Sequence, residues 1–248
     1  MRNVSWCLLG ILLACGDASS RRVPNEDDRV AAESSTASAD PRSSDTSLPA
    51  SRSSLPVVLI IGTSLTAGLG LEPEDAYPAI LQRKADSAGY RVEVIGAGVS
   101  GETSAGALRR IDWLLDRRAD VIVIETGAND GLRGLDIDST RANLREIFRR
   151  AAQAKPSAQL FLMQMEAPPN LGARYTDRFR AVFPEVARET GAQLIPFLLE
   201  GVAGLEGMNQ SDGIHPNIRG SERVAENIWR TLQPVLQRLR STANTSFR

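Results

Sequence analysis

From residue 55 onward the chain alternates short, wholly apolar runs with longer stretches whose apolar residues recur every three or four positions. The runs at 57–61, 92–95, 121–124, 160–163 and 194–196 lack polar alternation, which is the pattern of strands covered on both faces. Between the third and fourth runs, Leu144, Ile147, Phe148 and Ala151 trace one face of a helix. Strand alternating with helix predicts parallel strands joined by right-handed crossovers. The expected fold is a three-layer α/β/α domain around a central, mostly parallel five-stranded sheet. In such a sheet the loops that follow the strands emerge at one edge, and ligands bind there. Reactive residue types should therefore follow the strands.

The pattern stops at both ends. Residues 1–14 begin with Arg2 and continue as an apolar run from Val4 to Ala14, shorter than the ~20 residues a membrane span needs. This predicts a signal for export. Its tail, Leu12-Leu13-Ala14-Cys15, resembles the bacterial lipobox, in which the cysteine is acylated and becomes the first residue of the mature protein. Cys15 is thus the expected lipidation site, and the localisation that follows is outside the cytoplasm, anchored to a bacterial membrane on the periplasmic side. The chain has 2 cysteines; with Cys7 leaving in the signal and Cys15 lipidated, no thiol remains for a disulfide or a metal. Residues 15–54 are rich in Ser, Ala, Asp and Arg and offer few large apolar groups, which predicts a flexible tether with a root-mean-square span of roughly 35 Å. The folded domain is expected over 55–240, with 241–248 as a flexible tail.

Charge narrows the partners. Lys and Arg number 29 against 30 Asp and Glu, and the basic residues are scattered beside acids, so no nucleic-acid partner is expected. No internal repeat is evident, and a monomer is expected.

The chain contains 1 histidine, His215, in the string Asp212-Gly213-Ile214-His215-Pro216-Asn217. A group that titrates near neutrality is the usual base for a hydroxyl nucleophile. After the first apolar run comes Gly62-Thr63-Ser64-Leu65-Thr66-Ala67-Gly68. After the second comes Gly98-Val99-Ser100-Gly101-Glu102-Thr103-Ser104, and after the third Gly127-Ala128-Asn129-Asp130. Each string alone is ordinary loop composition. Together they place a nucleophile, amide donors, a base and an acid to orient it at one edge.

These four blocks, in order across 57–236, resemble the GDSL-type SGNH hydrolases, closest to the bacterial arylesterase and thioesterase/lysophospholipase branch. Gly127-Ala128-Asn129-Asp130-Gly131-Leu132-Arg133-Gly134, Met163-Gln164-Met165 and Pro169-Asn170 add to the likeness. The resemblance implies a serine esterase without cofactor or metal, in which Ser64 attacks, His215 is the base and Asp212 orients it. It also implies that the backbone amides of Ser64 and Gly101 and the side chain of Asn129 hold the oxyanion. Substrates so implied are aryl or short acyl esters, thioesters or lysophospholipids. One position departs: the family's first block usually carries Asp before the serine, and here it is Thr63, which puts the hydrogen bonding of that loop in question.

Other readings compete. Ser64 also suits a helix cap, Asn129 a turn and Asp212 a cap near Asn217. Asp130 reads as structural, Tyr175, Phe179, Val182 and Val186 as core, and loop 166–174 as a possible wall of an acyl pocket. Gly96-Ala97-Gly98-Val99-Ser100-Gly101 with Glu125 on the next strand fits a dinucleotide fingerprint, though not after the first strand where that fingerprint belongs. The nucleophile elbow of the larger α/β-hydrolases is disfavoured, since Thr66 stands where it needs glycine. A carbohydrate O-acetylesterase and a non-catalytic acyl- or glycan-binding lipoprotein are the remaining alternatives.

Overall fold

A computed structural model describes residues 55–245. The expected export signal, Cys15 and the expected tether lie outside the described residues. The elements in chain order are β1 (Val57–Gly62), α1 (Ser64–Ala67), α2 (Tyr77–Ser87), β2 (Glu93–Gly98), α3 (Ser104–Leu115), β3 (Val121–Ile124), α4 (Ala128–Leu132), α5 (Ile137–Ala154), β4 (Gln159–Met163), α6 (Ala173–Thr190), β5 (Gln193–Ile195) and α7 (Ile218–Thr245). The last helix continues past residue 240, where the sequence reading ended the domain.

Five parallel strands form one sheet in the order β2-β1-β3-β4-β5. The chain steps from β1 outward to β2, returns across β1 to β3, and then proceeds in one direction. Right-handed crossovers therefore put α2 on one face and α3, α5 and α6 on the other, with α7 packed against α2. Every residue of β1 and β3 is buried, as their unbroken apolar sequences require. Leu144, Ile147, Phe148 and Ala151 of α5 all face the core. From α6, Phe179, Val182 and Val186 do so too, while Tyr175 is half-buried and donates its hydroxyl to the Leu135 carbonyl at 2.7 Å.

Strand β2 differs from the expected 92–95 by running on through glycines, with Gly62 paired to Gly98. A Cβ on Gly98 would lie 2.3 Å from the Ala67 nitrogen and 2.6 Å from the Thr63 oxygen, so α1 can lie against β2 only where no side chain stands. Because strand order reverses between β1 and β3, the loops after these two strands diverge to opposite faces and leave a crevice at the carboxyl edge. Leu55 and Pro56 lead into β1 at the opposite, amino edge.

Candidate active site

Ser64 is the first residue of α1, immediately after β1. Its own N–H is one of those a helix leaves without an internal partner. The loop that presents it is tied to Glu125, the residue after β3, which is fully buried. Glu125 accepts from the Thr63 amide at 2.8 Å and its hydroxyl at 3.0 Å, and from the Thr66 amide at 3.3 Å and its hydroxyl at 2.7 Å. Thr66 in turn shares a 2.5 Å hydrogen bond with the buried Tyr77 hydroxyl. A Cβ on Gly62 would fall 1.9 Å from the Thr66 Oγ1 and 2.4 Å from a Glu125 Oε2, so only glycine fits at the root of this loop. The departure at Thr63 thus leaves the loop tied: its hydroxyl donates to a carboxylate contributed by the neighbouring strand. Burial pushes the Glu125 pKa up to about 7, against the pull of these four donors.

The imidazole arrives from the long segment between β5 and α7. His215 Nε2 is 2.8 Å from Ser64 Oγ, and Nδ1 is 2.6 Å from Asp212 Oδ2. The other carboxylate oxygen of Asp212 accepts from the amides of Ile214 at 2.9 Å and His215 at 3.0 Å. The hydrogen bond from His215, followed by these two amides, holds the Asp212 carboxyl down at about 2. Capping of α7 falls to Asn217, whose Oδ1 accepts from Gly220, so Asp212 does not serve as its cap. Gln210 joins the two halves of the site by donating to the carbonyls of Leu69 at 2.7 Å and Pro216 at 2.9 Å.

Gly101 adopts φ +76°, a conformation that favours glycine, and its carbonyl accepts from Arg133 at 3.0 Å. Nearby, the Arg110 guanidinium grips Glu102 and donates to the carbonyls of Gly62 and Ala97, fixing this loop against the ends of β1 and β2. Asn129 donates one amide hydrogen to the Glu102 carbonyl at 3.0 Å; a carboxamide has a second hydrogen to offer. Asp130 is buried and accepts from the Ser104 amide and hydroxyl and from Thr140, a structural post between α3, α4 and α5.

Ser64, Gly101, Asn129 and His215 line one cavity of about 640 Å³. Its remaining wall is mostly apolar, including Leu69, Leu132, Met165, Pro168, Phe197 and Ile214. Residues 166–169 of the expected pocket loop take part. Among the described residues no group of three or more His, Cys, Asp or Glu is placed to hold a metal ion, and no helix is long and apolar enough to cross a membrane. The dinucleotide alternative loses its acid, because Glu125 is enclosed and bound to Thr63 and Thr66. Its glycine string begins inside β2, the strand at the edge of the sheet.

Residues 60–223, well over half of the chain, match the model of the GDSL-like lipase/acylhydrolase family. The chain belongs to this family. Among relatives in the GDSL-like family, the esterase TesA of Pseudomonas aeruginosa is 41% identical over 180 residues, covering 72% of this chain and 89% of that protein. The thioesterase 1/protease 1/lysophospholipase L1 of Escherichia coli strain K12 is 37% identical over 182 residues, 72% of this chain and 84% of its own. The crystal structure of the psychrotrophic esterase EstA from Pseudoalteromonas, inhibited by monoethylphosphonate, superposes with a TM-score of 0.69 at 35% identity, covering 73% of this chain and 98% of that one. As a GDSL-like hydrolase with this company, the chain is a carboxylic ester hydrolase. All five candidate residues, from Ser64 to His215, fall inside the stretch matched to the GDSL-like family.

If Asn129 supplies an oxyanion donor, Asn129→Ala removes one preorganised hydrogen bond to the transition state. We expect kcat to fall by about 10²-fold with KM nearly unchanged, measured on a p-nitrophenyl ester. A variant that keeps its kcat assigns Asn129 only the tie to Glu102.

Proposed function

We propose that this GDSL-family hydrolase is a serine esterase that cleaves esters of apolar acyl groups through an acyl-enzyme. Ser64 Oγ attacks the carbonyl carbon as its proton passes to His215 Nε2, while Asp212 holds the proton on Nδ1 and balances the charge that forms. The amides of Ser64 and Gly101 and the Asn129 side chain meet the oxyanion. His215 then gives its proton to the departing alcohol or thiol, leaving the acyl group on Ser64. A water molecule, deprotonated by the same imidazole, releases the acid and restores the hydroxyl. The observation that carries this reading is the 2.8 Å contact between Ser64 and His215, backed by Asp212, at the wall of a cavity with apolar lining.

That lining favours an acyl chain over a sugar, which needs polar partners. The activities for which the relatives are named, esterase and thioesterase/lysophospholipase, agree with a range of esters and thioesters that share an acyl tail. Export, acylation of Cys15, a membrane held through that lipid and a monomeric state complete the proposal, on the strength of the sequence at 1–54. A location outside the cytoplasm favours lipids or environmental esters over coenzyme A thioesters.

Two measurements test the proposal. An alkylphosphonate should modify Ser64 covalently; protein left unlabelled and inactive would instead make it a binder. In a series of p-nitrophenyl esters kcat/KM should rise about fourfold per added methylene, the ~0.8 kcal/mol that each buried CH₂ contributes, until the cavity is full. A maximum at acetate would return the carbohydrate O-acetylesterase reading.

A further inference from the structure

We propose that Glu125 is the positioning residue of the nucleophile: its ionised carboxylate clasps the backbone on both sides of Ser64 and sets the aim of Oγ at His215. The inference rests on the reading of Ser64 as nucleophile. The two oxygens of Glu125 receive four donors, and these come in pairs from Thr63 and Thr66, the residues that bracket Ser64 and Leu65. Three donors converge on Oε2 and the Thr63 hydroxyl reaches Oε1, so a carboxylate accepts all four, whereas a neutral carboxyl keeps the three on Oε2 only by donating to a Thr63 hydroxyl that has turned to accept. The clasp is anchored in the sheet, since the Glu125 amide donates to the Ile61 carbonyl at 2.7 Å, opposite the end of β1. Tyr77 completes the chain: with the Thr66 hydroxyl donating to Glu125, its oxygen accepts from the phenol.

The groups that face Glu125 are Thr63 and Thr66 from the serine loop and Tyr77 from α2. Burial holds the Tyr77 phenol well above its usual range, hence neutral. From α3, Arg110 reaches the Gly62 carbonyl at the root of the loop and is paired with Glu102; His215 lies beyond Ser64. A buried carboxylate without a cation bonded to it is an expensive group to keep ionised, and such groups cluster at functional sites.

Glu125→Gln keeps the shape and an oxygen for the three donors at Oε2, but removes the charge and puts an N–H₂ opposite the Thr63 hydroxyl. It should lower kcat about 10- to 100-fold with KM changed less than about twofold, and slow phosphonate labelling of Ser64 by the same factor. Thr66→Val, which removes one donor, should lower kcat about tenfold, and Thr66→Ser should restore it. On the acid side log(kcat/KM) of the wild type should fall more steeply than that of Glu125→Gln, by a slope of about one, because Glu125 must lose its proton to work. Wild-type kcat in folded Glu125→Gln, a loss that only tracks the folded fraction, or an unchanged slope each overturns the proposal. If those results come with normal labelling of wild-type Ser64, the nucleophile stands and only the clasp fails. If wild-type Ser64 resists the phosphonate, the reading beneath it fails instead.

Discussion

Ser64→Ala and His215→Ala should each lower kcat for p-nitrophenyl esters by about 10⁵-fold or more, and the double variant should be no slower than either single one. The non-additivity follows from geometry. Oγ and Nε2 meet at 2.8 Å, and in the proposed mechanism they act in one proton transfer, so once either atom is gone the other has nothing to do. The residual rate over water would come from binding and the oxyanion donors. Neither change should unfold the chain, because the Ser64 hydroxyl bonds only to the half-buried His215 ring and His215 sits on a surface segment rather than in the apolar core. Circular dichroism and thermal unfolding would show this. Either variant retaining more than about a tenth of its rate would sink the mechanism.

The second large effect belongs to Asp212→Asn, expected to cost about 10³- to 10⁴-fold in kcat. In the proposed mechanism the carboxylate, 2.6 Å from Nδ1, accepts the Nδ1 hydrogen and leaves Nε2 bare to take the serine proton. An asparagine can turn its N–H₂ toward Nδ1 instead, which puts the imidazole hydrogen on Nε2, the wrong nitrogen for a base. The amides of Ile214 and His215 can still donate to the remaining carbonyl oxygen, so the loop should hold and KM should change little. With its carboxyl at about 2, Asp212 stays ionised throughout the working range, and any stability it gives is lost only as pH falls below the ordinary aspartate range toward 2. The acid side of the rate profile therefore reports other groups. A kcat within tenfold of wild type would reduce Asp212 to a loop fastener.

Glu125 shows the opposite sign. Its folded pKa stands above the ordinary 4.5, so the folded protein takes up this proton more readily than the unfolded chain. Stability from this residue is full below the ordinary carboxylate range and declines as pH rises through about 7. Keeping it ionised above that costs the fold on the order of 3 kcal/mol. Activity that needs the ionised clasp and a fold that prefers the neutral acid pull against each other.

The sheet was legible because its central strands consist of uninterrupted apolar residues, and β3 coincides with the expected run. The carboxyl half of strand β2 was not, since Gly96 and Gly98 have poor strand preference and are recruited only by register with β1 and by the approach of α1. Ser64, Gly101 and Asn129 were readable as reactive types placed just after strands, and Asp212 and His215 as such types in the loop before the last helix. Glu125 was noticed, but for a cofactor role, because nothing in a linear string shows Thr63 and Thr66 folding back onto it. Gln210 gave no signal at all: its part depends on two carbonyls that the fold brings together. The apolar cavity wall was only half visible, since Phe197 and Leu199 come from a segment without regular period.

The way the polypeptide leads into β1 has a practical side. Six strand residues at about 3.3 Å each separate that point from the catalytic mouth by some 20 Å of sheet. A fusion partner, an affinity handle or a resin joined ahead of Leu55 would leave the opening facing bulk solvent, whereas loops such as 99–103 or 211–215 would be poor places for attachment.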